Sequence, residues 1–499
     1  MTHNTISRSA ILSVLILSLL LLGACTMAPR YERPENPSGG GFPDYPEYKG
    51  IGEEGKGGTA ARRPQQDGQP SEEATDEEPA PGNITWREFY TDPNMQRLIE
   101  YAIENNKDLR LAVQNMESLQ AMYRIQRADL LPGINVSGAG QNQRTRTFQP
   151  APAPESSVTR TYTLGVGVTT WELDFFGRVR SLKDAALEQY LSSRHAAYGA
   201  RISIIGEVAS MYLNLVATKE QYELTRNTYQ SRKESYDMVA AMYKQGLSSQ
   251  LVVNQAKMTL EEARVNAVNL KTQTLQLENA LVMLLGGPIP EGVAVPSSLA
   301  AVRKLKGVPE GLPSYLLERR PDILQAEHDL KSANANIGAA RANFFPRISL
   351  TSSLGYISGD LSDLFDSGSK AWAFTPAISL PIFAGGRNVA NLDYSNVKRD
   401  MAVTSYEKAI QNAFREVSDA LAQRSTITEQ LEATRSLRDA SQQSYDISNV
   451  RYEIGVDSFM NVLDAQRMLF SAQQGYINSM LSREINCINL YKALGGGWE

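Results

Sequence analysis

Residues 452–469 read YEIGVDSFMNVLDAQRML, and residues 243–260, lying 209 positions earlier, read YKQGLSSQLVVNQAKMTL. Each stretch has the form of a helix end, a Gly-centred turn and a new helix start. Tyr243 matches Tyr452, Gly246 matches Gly455, Ser249 matches Ser458, Val253 matches Val462 and Ala256 matches Ala465. The same offset joins Leu285-Gly286-Gly287 to Leu494-Gly495-Gly496 at one end. At the other it joins Gly177-Arg178 to Gly386-Arg387 and Glu207-Val208 to Glu416-Val417. A constant offset over so many positions marks an internal duplication, so one architecture is built twice.

Working outward from the two turns, Gly177 to Gln245 and Gly386 to Ile454 each run 69 residues without a proline. At ~1.5 Å per residue, each predicts a helix of roughly 100 Å. The helices returning from the turns, about 40 residues each, reach ~60 Å. Their polarity argues against crossing a bilayer. In the first return helix, Val253, Ala256, Leu260, Ala263, Ala267, Leu270, Thr274, Leu277, Leu281 and Leu284 alternate spacings of three and four. That heptad stripe fits a coiled coil or a wall of packed helices.

Before each long helix lies another matched block. Residues 92–131 read as a helix ended by Pro132, and RRPDILQAEHDLKSANANIGAARANFF as one ended by Pro346. ADLLPGINVSG then matches ANFFPRISLTS at an offset of 214. Beyond the prolines the apolar period changes to two. Ile348, Leu350, Leu354 and Tyr356 alternate with polar residues, and Trp372, Phe374, Ile378, Leu380 and Ile382 do so on the return. In the first repeat Ile134 and Val136 lead out, and Tyr162, Leu164, Val166 and Val168 lead back. These segments predict a β-hairpin over about 133–175 and another over about 347–383. Strands of ~10 residues with one apolar face fit a membrane barrel or a half-buried soluble hairpin. Four strands cannot close a barrel, and an open edge in lipid leaves backbone groups unpaired. A membrane placement therefore requires several chains, and three would supply twelve strands.

Composition narrows the function. The chain of 499 residues holds His3, His195 and His328 as its only histidines, which argues against a hydrolytic triad or a histidine metal site. We expect no enzyme activity and no cofactor. Arg8 and the apolar run Ile11 to Leu22 precede Leu22-Gly23-Ala24-Cys25, a signal peptide over 1–24. Leu-x-small-Cys resembles the bacterial lipoprotein signal, which is cleaved before Cys25 and acylates it. With no acidic residue after that Cys, retention at the outer membrane is favoured. Cys487 is the other cysteine, read as a small buried residue. Residues 25–34 form a lipidated N-terminus. Residues 35–82, with ten Gly, seven Pro and a net charge of −7, read as an acidic linker. Residues 83–499 balance at 43 basic and 43 acidic side chains, which argues against nucleic acid as a partner. Repeat 1 spans 83–290, a connector 291–315 and repeat 2 316–499.

The segments CTMAPRYERP, ERRPDILQAEH, IGAARANFFPRISL, LPIFAGGR, YEKAIQNAFREV and YEIGVDSFMNVLDAQR, with the terminal LYKALGGGW, resemble the TolC/OprM-type outer-membrane efflux lipoproteins, most closely their OprM-like multidrug members. The likeness covers about 83–499. It implies a homotrimer that is mainly α with a transmembrane β-barrel of twelve strands, and an α-barrel in the periplasm. It further implies docking, at the tips marked by Gly246, Ser249, Gly455 and Ser458, to a periplasmic adaptor serving an inner-membrane RND pump. The family closes its channel at residues matching Met460, Asp464 and Arg467, with Tyr452 at the facing helix end; Met460 stands where Leu is usual. Two other readings stay open. Metal-ion export would use soft ligands, for which Met238 and Met242 are the candidates. A lipid-anchored periplasmic coiled-coil scaffold would need no channel.

Overall fold

The computed structural model describes residues 26–34, 84–146, 156–307 and 319–497. The signal peptide, Cys25 and the linker over 35–82 lie outside the described residues. Within the first repeat the helices are α1 (Trp86–Phe89), α2 (Pro93–Asn105) and α3 (Lys107–Ala128). Strands β1 (Ile134–Arg146) and β2 (Ser156–Leu173) lead to α4 (Arg178–Lys244) and α5 (Gln250–Leu285). The second repeat gives α6 (Pro321–Ala342), β3 (Arg347–Ser358), β4 (Lys370–Ser379), α7 (Arg387–Glu453) and α8 (Phe459–Ala493). Both long helices run 67 residues, close to the 69 expected. The paired elbow and turn glycines all take left-handed backbone: Gly177 and Gly386, Gly246 and Gly455, Gly286 and Gly495. Side chains with a Cβ rarely adopt that conformation, which is why the duplication keeps these residues.

The single helix expected over 92–131 is in fact two. Asp92 caps α2 by accepting from the Asn94 and Met95 amides at 2.9 and 3.0 Å, and Pro93 occupies the first turn. Asn106 then turns to extended backbone, ψ 132°. Its Oδ1 accepts from the Leu109 amide at 2.8 Å and starts α3, while its Nδ2 donates to the Leu284 carbonyl at 2.7 Å. One amide side chain thus satisfies a helix start and a helix end together. The second hairpin is also shorter than expected, since β4 ends at Ser379 and leaves Leu380 and Ile382 beyond it.

Among the described residues the four strands form one antiparallel sheet in the order β1-β2-β3-β4, so β2–β3 pairing joins the repeats. Register aligns the apolar positions across every strand. Ile134 faces Val168, Val136 faces Val166, Val166 faces Leu354 and Leu354 faces Trp372. That face is large and uncovered by its own chain: Val136 is 77% exposed and Trp372 78%. The other face is small and polar, with Ser137 opposite Gly165, Gly165 opposite Gly355 and Thr351 opposite Thr375. An irregularity between Val168 and Trp171 shifts the β2–β3 register and returns Trp171 and Leu173 to the apolar face, opposite Leu350 and Ile348.

The chain divides into two compact units. One comprises the sheet and its flanking helix segments, within 115–194 and 325–406, together with residues 26–34. There residues 26–34 lie as a strap. Arg33 donates to Glu327 at 2.7 Å and Tyr31 at 3.2 Å, while Asn334 donates to the Pro29 carbonyl at 2.8 Å. Gly338 lets the Ala28 backbone approach, for a Cβ there would lie 2.6 Å from its nitrogen.

The other unit comprises, of the described residues, 84–114, 195–307, 319–324 and 407–497. Its aromatic core stacks Phe89 on Tyr491 with centroids 4.0 Å apart, and Tyr491 donates to the Ile84 carbonyl at 2.7 Å. Arg320, from the ERRPDIL stretch, is buried and donates to Asp322, to Glu416 and to the Ala493 carbonyl at 2.7 Å. Contrary to the polarity expected of all the long helices, α4 has a window of mean hydropathy 1.2, long and apolar enough to cross a membrane. That window is 61% buried against its own chain, which marks a core helix.

Candidate functional site

The turns at Gly246 and Gly455 are built alike. The Gly246 amide donates to the Tyr243 carbonyl and the Leu247 amide to the Met242 carbonyl, both at 2.9 Å. Gly455 to Tyr452 and Val456 to Arg451 repeat those bonds, also at 2.9 Å. Beneath them Val239, Val253, Ala256, Phe459, Val462 and Leu463 form one buried cluster, with Tyr236, Val252, Tyr445 and Tyr452 packed against it. The two tips are therefore fixed to each other by a shared apolar core.

Their polar decoration differs. In the first turn, Ser249 caps α5 by accepting from the Val252 amide. In the second, Ser458 stands at the cap position without a side-chain capping bond. Beside it, Asp457 pairs with Arg451 and accepts from the Asn461 side-chain amide at 3.2 Å. The first repeat has Met242 and Ser248 at the positions matching Arg451 and Asp457, so it cannot form that pair.

Of the four residues expected at a closure, Arg467 donates to Asp464 on its own helix, three residues back, and both remain about half exposed. Met460 sits one turn before Asp464 on α8, partly exposed. Tyr452 does not bond across its own turn. Its ring lies 5.2 Å from that of Phe459, and its hydroxyl reaches the Met242 sulfur of the other repeat at 3.6 Å. The sulfur read as a possible soft-metal ligand is thus engaged in a contact between tips. Among the described residues no group of three or more His, Cys, Asp or Glu is placed to hold a metal ion.

The sequence reading missed Arg232, which lies on α4 just behind this site. It is 2% exposed, with Nη1 donating to the Thr259 carbonyl at 2.7 Å and to Glu262 at 3.2 Å. Its guanidinium lies 5.6 Å over the Phe470 ring of α8, and its neighbour Ser231 accepts from Gln466 at 3.3 Å. Burial holds the guanidinium below the usual arginine range, and the positive charge of Arg467 pushes the same way. The sequence carried no signal of this burial: position 441, its counterpart 209 residues on, is Ser, so the repeat does not mark the residue.

Comparison with known proteins shows the family to which the two-repeat fold belongs. The model of the outer membrane efflux protein family matches residues 98–287 and 312–496, one match per repeat. A probable efflux pump outer membrane protein of Pseudomonas putida, TtgC, is 44% identical over 484 residues, covering 97% of this chain and 95% of the relative. The outer membrane protein OprJ of Pseudomonas aeruginosa is 41% identical over 485 residues, covering 97% and 95%. Among solved structures, a membrane protein from Pseudomonas aeruginosa superposes with a TM-score of 0.81 at 39% identity, over 94% of this chain and 100% of that one. The open state of the Neisseria gonorrhoeae channel MtrE gives 0.80 at 34% identity, over 95% and 99%. The fold class follows: mainly α with a transmembrane β-barrel, two tandem repeats per chain, and a barrel that three chains close in the outer membrane. The chain belongs to the outer membrane efflux protein family, a family of channel-forming proteins, and is an outer-membrane efflux channel.

Proposed function

We propose that three copies form the exit duct of a tripartite pump, carrying small apolar and amphiphilic compounds passively from the periplasm to the outside. Relatives named as toluene and antibiotic efflux pump proteins support that substrate class. The observation that carries the reading is the sheet. Its apolar face is exposed along every strand, and β1 and β4 each leave one edge unpaired. In lipid such an edge costs several kcal/mol per orphaned backbone group. Joining β4 of one chain to β1 of the next removes both edges and turns the small polar face inward as a lumen. The remaining partners in this reading are a periplasmic adaptor at the tips of Gly246, Ser249, Gly455 and Ser458, an inner-membrane RND pump, and outer-membrane lipid around an acylated Cys25. The domain boundaries given above belong to the same proposal.

In the trimer the second-repeat tips encircle the axis, with Met460 as an apolar ring and Asp464 as a ring of like charge at the mouth. Rings of charged side chains set pore selectivity. Crowded carboxylates repel unless each is countered, and Arg467 on Asp464 supplies the counter-charge. The test is bilayer conductance of the purified trimer. Asp464→Ala, and more so Asp464→Ala with Met460→Ala, raises conductance and weakens cation selectivity while the trimer persists. Unchanged conductance and selectivity in both variants would remove the gate from these residues.

A further inference from the structure

Arg232 lies beside the tip, and the closure described above does not use its chemistry. Burying a charge is costly unless it is paired and hydrogen-bonded, and guanidinium stays protonated regardless. Its pairing here is incomplete. Nη1 has the Thr259 carbonyl and Glu262, but Glu262 is 56% exposed, so solvent weakens its field. The buried Nε has no hydrogen-bond partner among the described residues. An apolar residue of similar length would fill this space at lower cost, so the charge calls for another explanation.

Its position supplies one. Gln466 bonds to the neighbouring Ser231, and Phe470 lies under the guanidinium itself. Arg467 follows Gln466 directly and precedes Phe470 by three residues on the same helix. A fixed positive charge therefore stands behind Arg467, while Asp464 lies three residues back along α8. Two like charges at this level separate when one is free to turn, and the half-exposed Arg467 is the free one.

We propose that Arg232 is a positioning residue for the Asp464–Arg467 pair: a buried charge that drives the Arg467 side chain onto Asp464 and thereby neutralises the carboxylate at the mouth. This rests on the gate reading given above. The second repeat has Ser441 at the matching position, so each chain holds one such charge, on the first-repeat side of the tip. Removing the charge has two effects that act together. Arg467 loses the repulsion behind it, and Glu262 becomes available as an alternative partner. Arg467 then leaves Asp464, and the trimer presents three bare carboxylates.

The experiment measures the cation-over-anion permeability ratio of the trimer in planar bilayers. Arg232→Gln keeps a donor for the Thr259 carbonyl but removes the charge. We expect it to raise the ratio about twofold, the scale of one exposed helix ion pair. Arg232→Lys keeps the charge and keeps the ratio. In an Arg467→Met background, Arg232→Gln changes nothing further. A purely structural role gives the same change in both backgrounds and no rescue by Lys, and either result overturns the proposal, as does an unmoved ratio. If Asp464→Ala itself proves silent, the gate reading has failed, and the Arg232 proposal is then read directly. Electron cryo-microscopy of the Arg232→Gln and Arg232→Met trimers must show Arg467 turned off Asp464, and an intact pair in both sinks it.

Discussion

Glu327 holds three donors at once, Arg33, Tyr31 and Lys331, the last at 3.0 Å. Burial alone raises a carboxyl, but the hydrogen bonds and charges of Arg33 and Lys331 outweigh it and hold Glu327 below its usual range. A depressed native value means stability that is present above the unfolded value of about 4.3 and lost as pH falls through the native one. The strap over 26–34 is therefore firmly held at neutral pH and loosens only in acid. Hydrogen exchange, corrected for intrinsic rates, checks this. Glu327→Gln raises exchange of the strap amides at pH 7, and the wild type approaches the variant only below about pH 4. Equal protection in both proteins at neutral pH would remove Glu327 from the clasp.

Helix α5 carries two apolar stripes rather than one. Val253, Ala256, Leu260 and Ala263 are buried against the chain's own helices. Leu251, Met258, Val265, Val268, Leu275 and Val282 are exposed and recur at steps of seven, broken once by a step of three between Val265 and Val268. Residues 251 and 253 are ~200° apart around a helix, so the stripes occupy opposite flanks. A helix in a two-stranded coil needs one seam, whereas a helix within a curved wall needs two. The outer stripe is expected to meet a second copy of the chain. Burying a valine there contributes ~1.5 kcal/mol or more per chain. Val265→Asp should leave helix content unchanged by circular dichroism yet shift the detergent-extracted protein from three chains toward one by light scattering. A trimer of undiminished stability would show that the seam runs elsewhere.

At the scale of the whole molecule, two devices hold the membrane, the sheet and the acyl chains expected on Cys25. Each buried CH₂ of an acyl chain contributes ~0.8 kcal/mol, and one chain alone gives marginal binding. A closed barrel is far more firmly inserted, because leaving lipid would expose its whole apolar band. Cys25→Ser, secreted with a cleavable non-lipoprotein signal, should therefore still fractionate with the outer membrane. Recovery of that variant wholly in the periplasm would contradict the sheet as the membrane element. Detergent-solubilised protein with a full β signal but a single chain would contradict closure by three copies.

By itself the sequence determined the duplication, the turn positions and the alternation of the strands. All three rest on local physics. Gly177, Gly246, Gly286, Gly386, Gly455 and Gly495 all have positive φ, and only a residue without a Cβ tolerates that backbone freely. Periods of two and 3.6 follow from where successive side chains point, so the apolar faces of β1–β4 and the buried stripe of α5 were legible. Tertiary structure decided the rest, because those contacts join residues far apart in the chain. Asn106 splits a helical pattern by reaching Leu284, 178 residues on. Tyr452 chose the Met242 sulfur over any partner in its own turn because the shared apolar core sets the two tips side by side. Arg232 looks like any helix-surface arginine in the sequence. Only the packing of α4, α5 and α8 buries it and sets its charge behind Arg467.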